Sequence, residues 1–216
     1  MDIQATVRTG TIAATHAPPA SRLGTARAVL QHATLDIHES LHHLPGFVRL
    51  SAGTSTLAQY SALLQRLLGF HAPLERALRA GADGVATRER EKAHLLRSDL
   101  LDLGVRHSRI VAIPQCQSLP AVTSRDEIWG CLYVIEGAAL GGKVIARKLD
   151  TLLGTHSDTG RRFFLGRPEP DPLPWPDFCR LLESHASRGD LAAITASARR
   201  TFESLALWLG RKDSDV

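Results

Sequence analysis

The sequence predicts a single all-α domain, a multi-helix bundle. Three observations carry that reading. Apolar residues recur at three- and four-residue steps through most of the chain, the period of amphipathic helices. Glycines and prolines fall where those runs end. The one short β-like run, Ile110-Val-Ala-Ile, has no partner segment of similar strength with which to build a sheet. At 216 residues the chain has the length of one domain. A content of 44% hydrophobic and 22% charged residues matches folded globular proteins and excludes a disordered, collagen-like or membrane-embedded chain. No unbroken apolar run approaches the about 18 residues of a membrane helix.

Residues 1–21 mix Thr, Ala, Gly and Pro without the apolar stretch of a secretory signal, and read as a flexible tail. The domain is expected over residues 22–210, with 211–216 as a second tail. Its first helix carries Leu23, Ala26, Leu30, Thr34, Ile37 and Leu41 on one face and is stopped by Pro45-Gly46. A second helix starts after the capping residues Thr54 and Ser55 and ends at Gly69. A third runs from Ala72 to Ala80 with Gly81 as its stop, and a fourth from about Thr87 to Gly104. The Ile110 run is read as an extended loop between helices. Helix resumes after Ser124 and continues from Asp126 to about Leu153. Residues 155–176, rich in Gly, Pro and Arg, read as an ordered loop, followed by two last helices, Trp175 to Ser187 and Leu191 to Leu209. The total is about seven or eight helices.

Composition narrows the partners. Lys and Arg number 26 against 22 Asp and Glu, a net charge of +4, with the basic residues interspersed among acids. No basic stripe indicates a nucleic-acid partner, and neither nucleic acid nor membrane is expected. Cys116, Cys131 and Cys179 are odd in number and lack metal-ligand spacing, which fits a reducing cytoplasm.

Two constellations bear chemistry. His38-Glu39-Ser40-Leu41-His42 matches HExxH, in which paired imidazoles hold Zn²⁺ and the glutamate is the base. Its context disagrees: Pro45 follows three residues after His42, and no third ligand sits on a nearby turn. His38 alone, on the inner side of a long helix, also suits the single axial ligand of a haem iron. The second constellation is Tyr133-Val-Ile-Glu-Gly137-Ala-Ala-Leu-Gly141-Gly142, where three glycines interrupt an apolar helix at a cost of about 1 kcal/mol each relative to alanine. Gly137 and Gly141 share a face, so the backbone can approach something flat, and Gly142 adds freedom to kink. Close helix-helix packing is the other use of that spacing. Tyr133 lies one turn before Gly137 and offers a hydroxyl.

Together these segments resemble the proximal and distal helix motifs of the haem oxygenase family, in their bacterial form. Ala33-Thr-Leu-Asp-Ile-His38-Glu-Ser-Leu41 is similar to the first and Tyr133 to Gly142 to the second. Leu57-Ala-Gln-Tyr60, His71-Ala-Pro-Leu-Glu75, the Leu96 to Leu103 segment, Phe202 and Trp208-Leu209 extend the resemblance over roughly residues 22–209. The resemblance implies that His38 is the iron ligand and that Gly137, Gly141 and Gly142 lie over the other face of a haem b that is both cofactor and substrate. It implies cleavage by O₂, with electrons from a reductase or ferredoxin, to biliverdin, CO and Fe²⁺, for iron release or for supply of a bilin to a bacteriophytochrome. Two positions depart from the family pattern. Ala138 stands where many members place an Asp that holds a water network, so polar groups must come from elsewhere, with Arg97 or Asp99 as candidates. Gln31 stands where a cation usually meets a haem propionate; Arg27, Arg199, Arg200 and Tyr133 are the candidate substitutes. A non-catalytic haem or bilin carrier on the same scaffold, a thiamin-degrading enzyme of related fold, and zinc hydrolysis are the competing readings.

Overall fold

The computed structural model describes residues 25–81, 87, 90–155, 158–166, 171 and 174–211. The expected N-terminal tail, Leu23, residue 22 and residues 212–216 of the expected C-terminal tail lie outside them. Ten helices form among the described residues: α1 (Ala26–His42), α2 (Pro45–Ala52), α3 (Leu57–Gly81), α4 (Ala93–Asp102), α5 (His107–Val111), α6 (Arg125–Lys148), α7 (Asp150–Leu153), α8 (Arg162–Leu165), α9 (Trp175–Ala186) and α10 (Leu191–Gly210). The all-α class is as the sequence predicts.

Among the departures from the sequence reading are the break at Leu149 that splits the helix expected over Asp126–Leu153 into α6 and α7, the start of α4 at Ala93 rather than near Thr87, and four more that have a local reason. The second and third predicted helices are one, α3, which runs through both Gly69 and Pro73. Pro73 has no N–H to give to the Gly69 carbonyl four residues back. The backbone N–H of Cys116 donates to that carbonyl instead, at 2.9 Å. Gly69 is small because the chain at Pro114 lies against it; a Cβ there would sit 2.4 Å from the Pro114 carbonyl oxygen. Pro45 does end α1, but it also begins α2 at a position where its missing N–H costs nothing. Ile110 and Val111, the first half of that run, end the single helical turn α5, too short for a period to show, which docks Ile110 into the core. Within the expected 155–176 loop lies α8, another single turn.

The helix α6 organises the rest. Ser124 and Glu127 cap its start reciprocally: the Glu127 N–H donates to Ser124 Oγ at 3.2 Å and the Ser124 N–H to Glu127 Oε2 at 3.1 Å. Gly130 lets α10 approach so closely that a Cβ would lie 2.3 Å from the Ile194 carbonyl oxygen. Residues Ile128 to Ile135 belong to a core shared with α1, α3, α9 and α10, whereas Ala146 and Leu149 belong to a second core shared with α2, α3, α4 and α8. Residues 137–142 between them belong to neither core. By length and composition α6 is apolar enough to cross a membrane, yet half of its apolar window is buried within the fold.

Candidate functional site

A cavity of about 460 Å³ opens where α6 passes between its two cores, a volume in the range of small-molecule and cofactor sites. α1 forms one wall and residues 133–145 of α6 the other; α3, α8, α9 and α10 close the ends. On α1 the stripe Arg27, Gln31, Thr34, Leu35, His38, Leu41 and His42 faces inward, the three- and four-residue spacing of one helix face. Glu183 of α9 fixes the start of that stripe by accepting the Ala26 and Arg27 backbone N–H groups at 2.8 and 3.0 Å, two donors that the first turn leaves unsatisfied.

His38 is open to the cavity, with its ring edge-on to His42 at 4.8 Å and to Phe202 at 5.8 Å between centroids. Partial burial, aided by the neighbouring His42, holds its pKa below the usual histidine range. The neutral ring therefore keeps a lone pair for a metal at neutral pH. Among the described residues no third His, Cys, Asp or Glu joins His38 and His42 in a metal-binding group.

The three glycines of α6 line the cavity, but they serve different ends. A Cβ at Gly141 would meet nothing within 4 Å, so its backbone is bare toward the cavity. At Gly137 a Cβ would touch the Trp175 ring at 3.6 Å, an ordinary contact. At Gly142 it would lie 2.5 Å from the Phe164 carbonyl oxygen, so this glycine admits α8. α6 is assigned as one helix through all three, and none of them has a positive φ.

Of the candidate propionate partners, Arg27, Gln31 and Tyr133 line the cavity. Tyr133 is buried, shares a hydrogen bond with the Thr34 side chain, and has its phenol pKa raised by burial. Arg199 and Arg200 are not brought to it. Arg199 grips Asp36 with both terminal nitrogens, at 3.0 and 2.9 Å, and donates to the Ala33 carbonyl at 2.8 Å, tying α10 to the outer face of α1. Arg200 pairs with Glu127 at 3.5 Å. Arg97 is exposed and also lies off the cavity lining. Asp99 is fully buried away from it: Oδ1 accepts the Arg162 N–H and Oδ2 the Phe163 N–H, each at 2.8 Å. Burial pushes its pKa up to about 6 against the pull of those two N–H groups. Asp99 thus anchors α8, which carries the wall residues Phe163 and Phe164.

Sequence reasoning gave no site role to His71 and Lys92, both cavity-lining and nearly fully buried. His71 had a visible signal, as a polar residue in the apolar stripe of Leu64, Leu67, Leu74 and Leu78. Lys92 had none, because its burial depends on Nζ reaching the Ile135 carbonyl, 2.7 Å away on α6. Behind them Arg90 and Glu136 form a buried ion pair at 3.5 Å, with Arg90 over the Phe178 ring.

The fold and site define a class: an all-helical protein with a cavity between a histidine-bearing first helix and a glycine-bearing central one. The family model described as Heme oxygenase matches residues 25–209, so the chain belongs to the haem oxygenase family. A protein of Xanthomonas campestris pv. campestris (strain 8004) named Heme oxygenase is 36% identical over 114 residues, which is 51% of this chain. The match spans 64% of that relative, under two thirds of its length. The crystal structure of heme oxygenase-1 from the cyanobacterium Synechocystis sp. PCC6803, solved in complex with heme, superimposes with a TM-score of 0.65. It shares 13% identity with this chain, covering 88% of it and 93% of the cyanobacterial chain, a likeness of fold.

Proposed function

We propose that this protein binds haem in the α1–α6 cavity and cleaves it oxidatively to biliverdin, CO and Fe²⁺. The observation that carries the reading is the facing pair: a neutral imidazole at His38 on one wall and, on the other, the bare backbone of Gly141. That is a fit for a flat macrocycle with one axial ligand, since any side chain at Gly141 would project into open space that such a group needs. Haem supplies both the iron that binds O₂ and the carbon framework that is oxidised.

The chain's own residues orient it and shield it. His38 offers a nitrogen lone pair, and a neutral imidazole, unlike a thiolate, does not push early O–O cleavage. Arg27 and Gln31, at the start of α1, and Tyr133 across from them are the groups suited to hold the carboxylates of the haem edge; Arg27 supplies charge, Gln31 an amide N–H. Phe163, Phe164, Trp175 and Phe202 exclude bulk water from the ends of the cavity. Residues Gly137 to Gly142 leave a small-residue wall over the macrocycle, and the bulk at Leu140 limits which of its edges is reachable. Electrons come from an external ferredoxin or flavoprotein reductase. The product meets one of two needs, iron release or bilin supply to a bacteriophytochrome, in a reducing cytoplasm that suits three free cysteines.

The test is a titration with haemin, followed by a reductase system in air with catalase present. A histidine-type Soret band that decays into biliverdin absorption supports the reading. A stable band would make the protein a carrier.

A further inference from the structure

The HExxH stretch contains a residue with no part in the haem reading. His42 lines the same cavity as His38, one helical turn further on. α1 stays helical through His42, its last residue, so the two imidazoles rise from one face at i and i+4. Their ring centroids are 4.8 Å apart. That spacing has a chemical meaning. An ion held by one nitrogen of each ring, at about 2.1 Å and with an angle at the metal of about 90–110°, sets the two centroids about 4.5–5.2 Å apart. The ring planes stand at 75° to each other. A turn about Cβ–Cγ re-aims a ring nitrogen yet hardly moves the ring centre, which lies near that axis, and the torsion is a soft one. Both residues are exposed, so the turn has room.

The surroundings favour an ion and narrow its kind. Phe202 of α10 packs edge-on to the His38 ring at 5.8 Å, an apolar neighbour that does not compete for its nitrogens. The pair occupies the last turn of α1, where the carbonyl end of the helix carries partial negative charge. No third His, Cys, Asp or Glu joins the pair among the described residues. Two imidazoles and cavity water then complete the coordination. That donor set suits Zn²⁺, Ni²⁺ and Cu²⁺ and has little for Mg²⁺ or Ca²⁺, which take oxygen ligands. It also differs from a hydrolytic zinc centre, which takes three protein ligands.

We propose that, in the haem-free protein, His38 and His42 together chelate one divalent ion of the zinc, nickel and copper class, and that this ion and haem exclude each other because both require His38. Haem loading thereby falls as free metal rises. The chelate stands on the helix geometry; the exclusion rests on the haem reading above.

The experiment uses the untagged full chain, freed of metal with a chelator. Zn²⁺ is titrated in at neutral pH by calorimetry, for wild type, His42→Ala, His42→Gln and His43→Ala, the last as a control whose residue lies off the cavity lining. Wild type and His43→Ala should bind the ion with affinities within about twofold of each other, and both His42 variants about tenfold or more weakly, since a single imidazole loses the chelate. Two His42 variants are made so that at least one folds, judged by far-ultraviolet circular dichroism. Cu²⁺ gives a separate readout: its electron paramagnetic resonance should show coupling to two imidazole nitrogens in wild type and to one in His42→Ala. Haemin is then titrated with Zn²⁺ absent or held at about ten times its wild-type dissociation constant. The ion should lower haemin affinity about tenfold in wild type, while each His42 variant stays within about twofold of its own metal-free value. Equal Zn²⁺ affinity in wild type and the His42 variants overturns the chelate. Chelation that leaves haemin affinity unchanged overturns the exclusion. A metal-free wild type that takes up no haemin removes the haem reading instead, and the Zn²⁺ titration still decides the chelate.

Discussion

Gly141 and Gly142 are neighbours on one helix, yet alanine at the two should act in opposite directions. At Gly141 a methyl group meets nothing within 4 Å, so the substitution brings only the helix preference of alanine over glycine, about 0.8–1 kcal/mol of added stability. For a chain of this size that is a rise in melting temperature of about 2–4 °C. At Gly142 the same preference is outweighed. The new Cβ would be 2.5 Å from the Phe164 carbonyl oxygen and 3.3 Å from that residue's carbonyl carbon and Cα, all backbone atoms that cannot rotate away. α8 would have to shift, at the about 1–3 kcal/mol typical of overpacking, and Asp99 resists the shift through its two bonds to the α8 backbone. Urea unfolding of the protein without haem measures both. Gly141→Leu adds the functional half of the test: it should not lower that stability while weakening haemin binding about tenfold or more, because its side chain enters the cavity. Equal stability changes for the two alanine variants, or undiminished haemin binding by Gly141→Leu, would refute this division of roles.

Other outcomes follow from the same geometry. The buried, depressed His71 titration makes stability depend on pH. Its folded pKa of about 3 lies below the unfolded value near 6.5, so its contribution is full above pH 6.5 and declines as pH falls toward 3. Wild type should lose stability relative to His71→Leu, by a few kcal/mol in order of magnitude, as pH falls from 7 to 4 in chemical denaturation, and an unchanged difference would count against a neutral buried ring. Asp99→Ala should release α8, seen as amide hydrogen exchange at Arg162 and Phe163 about tenfold or more faster than in wild type while α10 is unchanged. Equal protection in both proteins would mean that Asp99 does not hold α8. Arg199→Ala should keep haemin affinity within about twofold of wild type, because this arginine is committed to Asp36 on an exposed face. A large loss would return Arg199 to the site.

What the sequence made legible, and what it hid, divide along the range of the interactions involved. The all-α class, the long α1 and α6, and the family itself could be read because apolar periodicity and two local motifs, around His38 and Gly137–Gly142, need only neighbouring residues. Gly69 misled because glycine signals a helix end equally well as a close approach; the approaching segment, at Pro114, is 45 positions later in the chain. The same ambiguity hid the purpose of Gly142, which depends on Phe164. Arg199 and Arg200 looked available until Asp36 and Glu127 were found beside them. Asp99, a candidate for the water network at the site, is instead committed to the backbone N–H groups of α8, and a backbone donor leaves no mark in a sequence. Lys92 was invisible for the converse reason: its partner is the carbonyl of Ile135.

The central claim is that His38 and the glycine-bearing wall of α6 hold a haem that the protein itself consumes. Its most direct test is the absorption spectrum of the haemin complex, recorded for wild type and His38→Ala, before and after adding a reductase system in air with catalase. The account predicts a histidine-type Soret band in wild type that gives way to biliverdin, and a His38→Ala protein that folds but shows neither the band nor the product. A wild-type band that persists through reduction and O₂, or a His38→Ala protein with the wild-type spectrum and turnover, would contradict it.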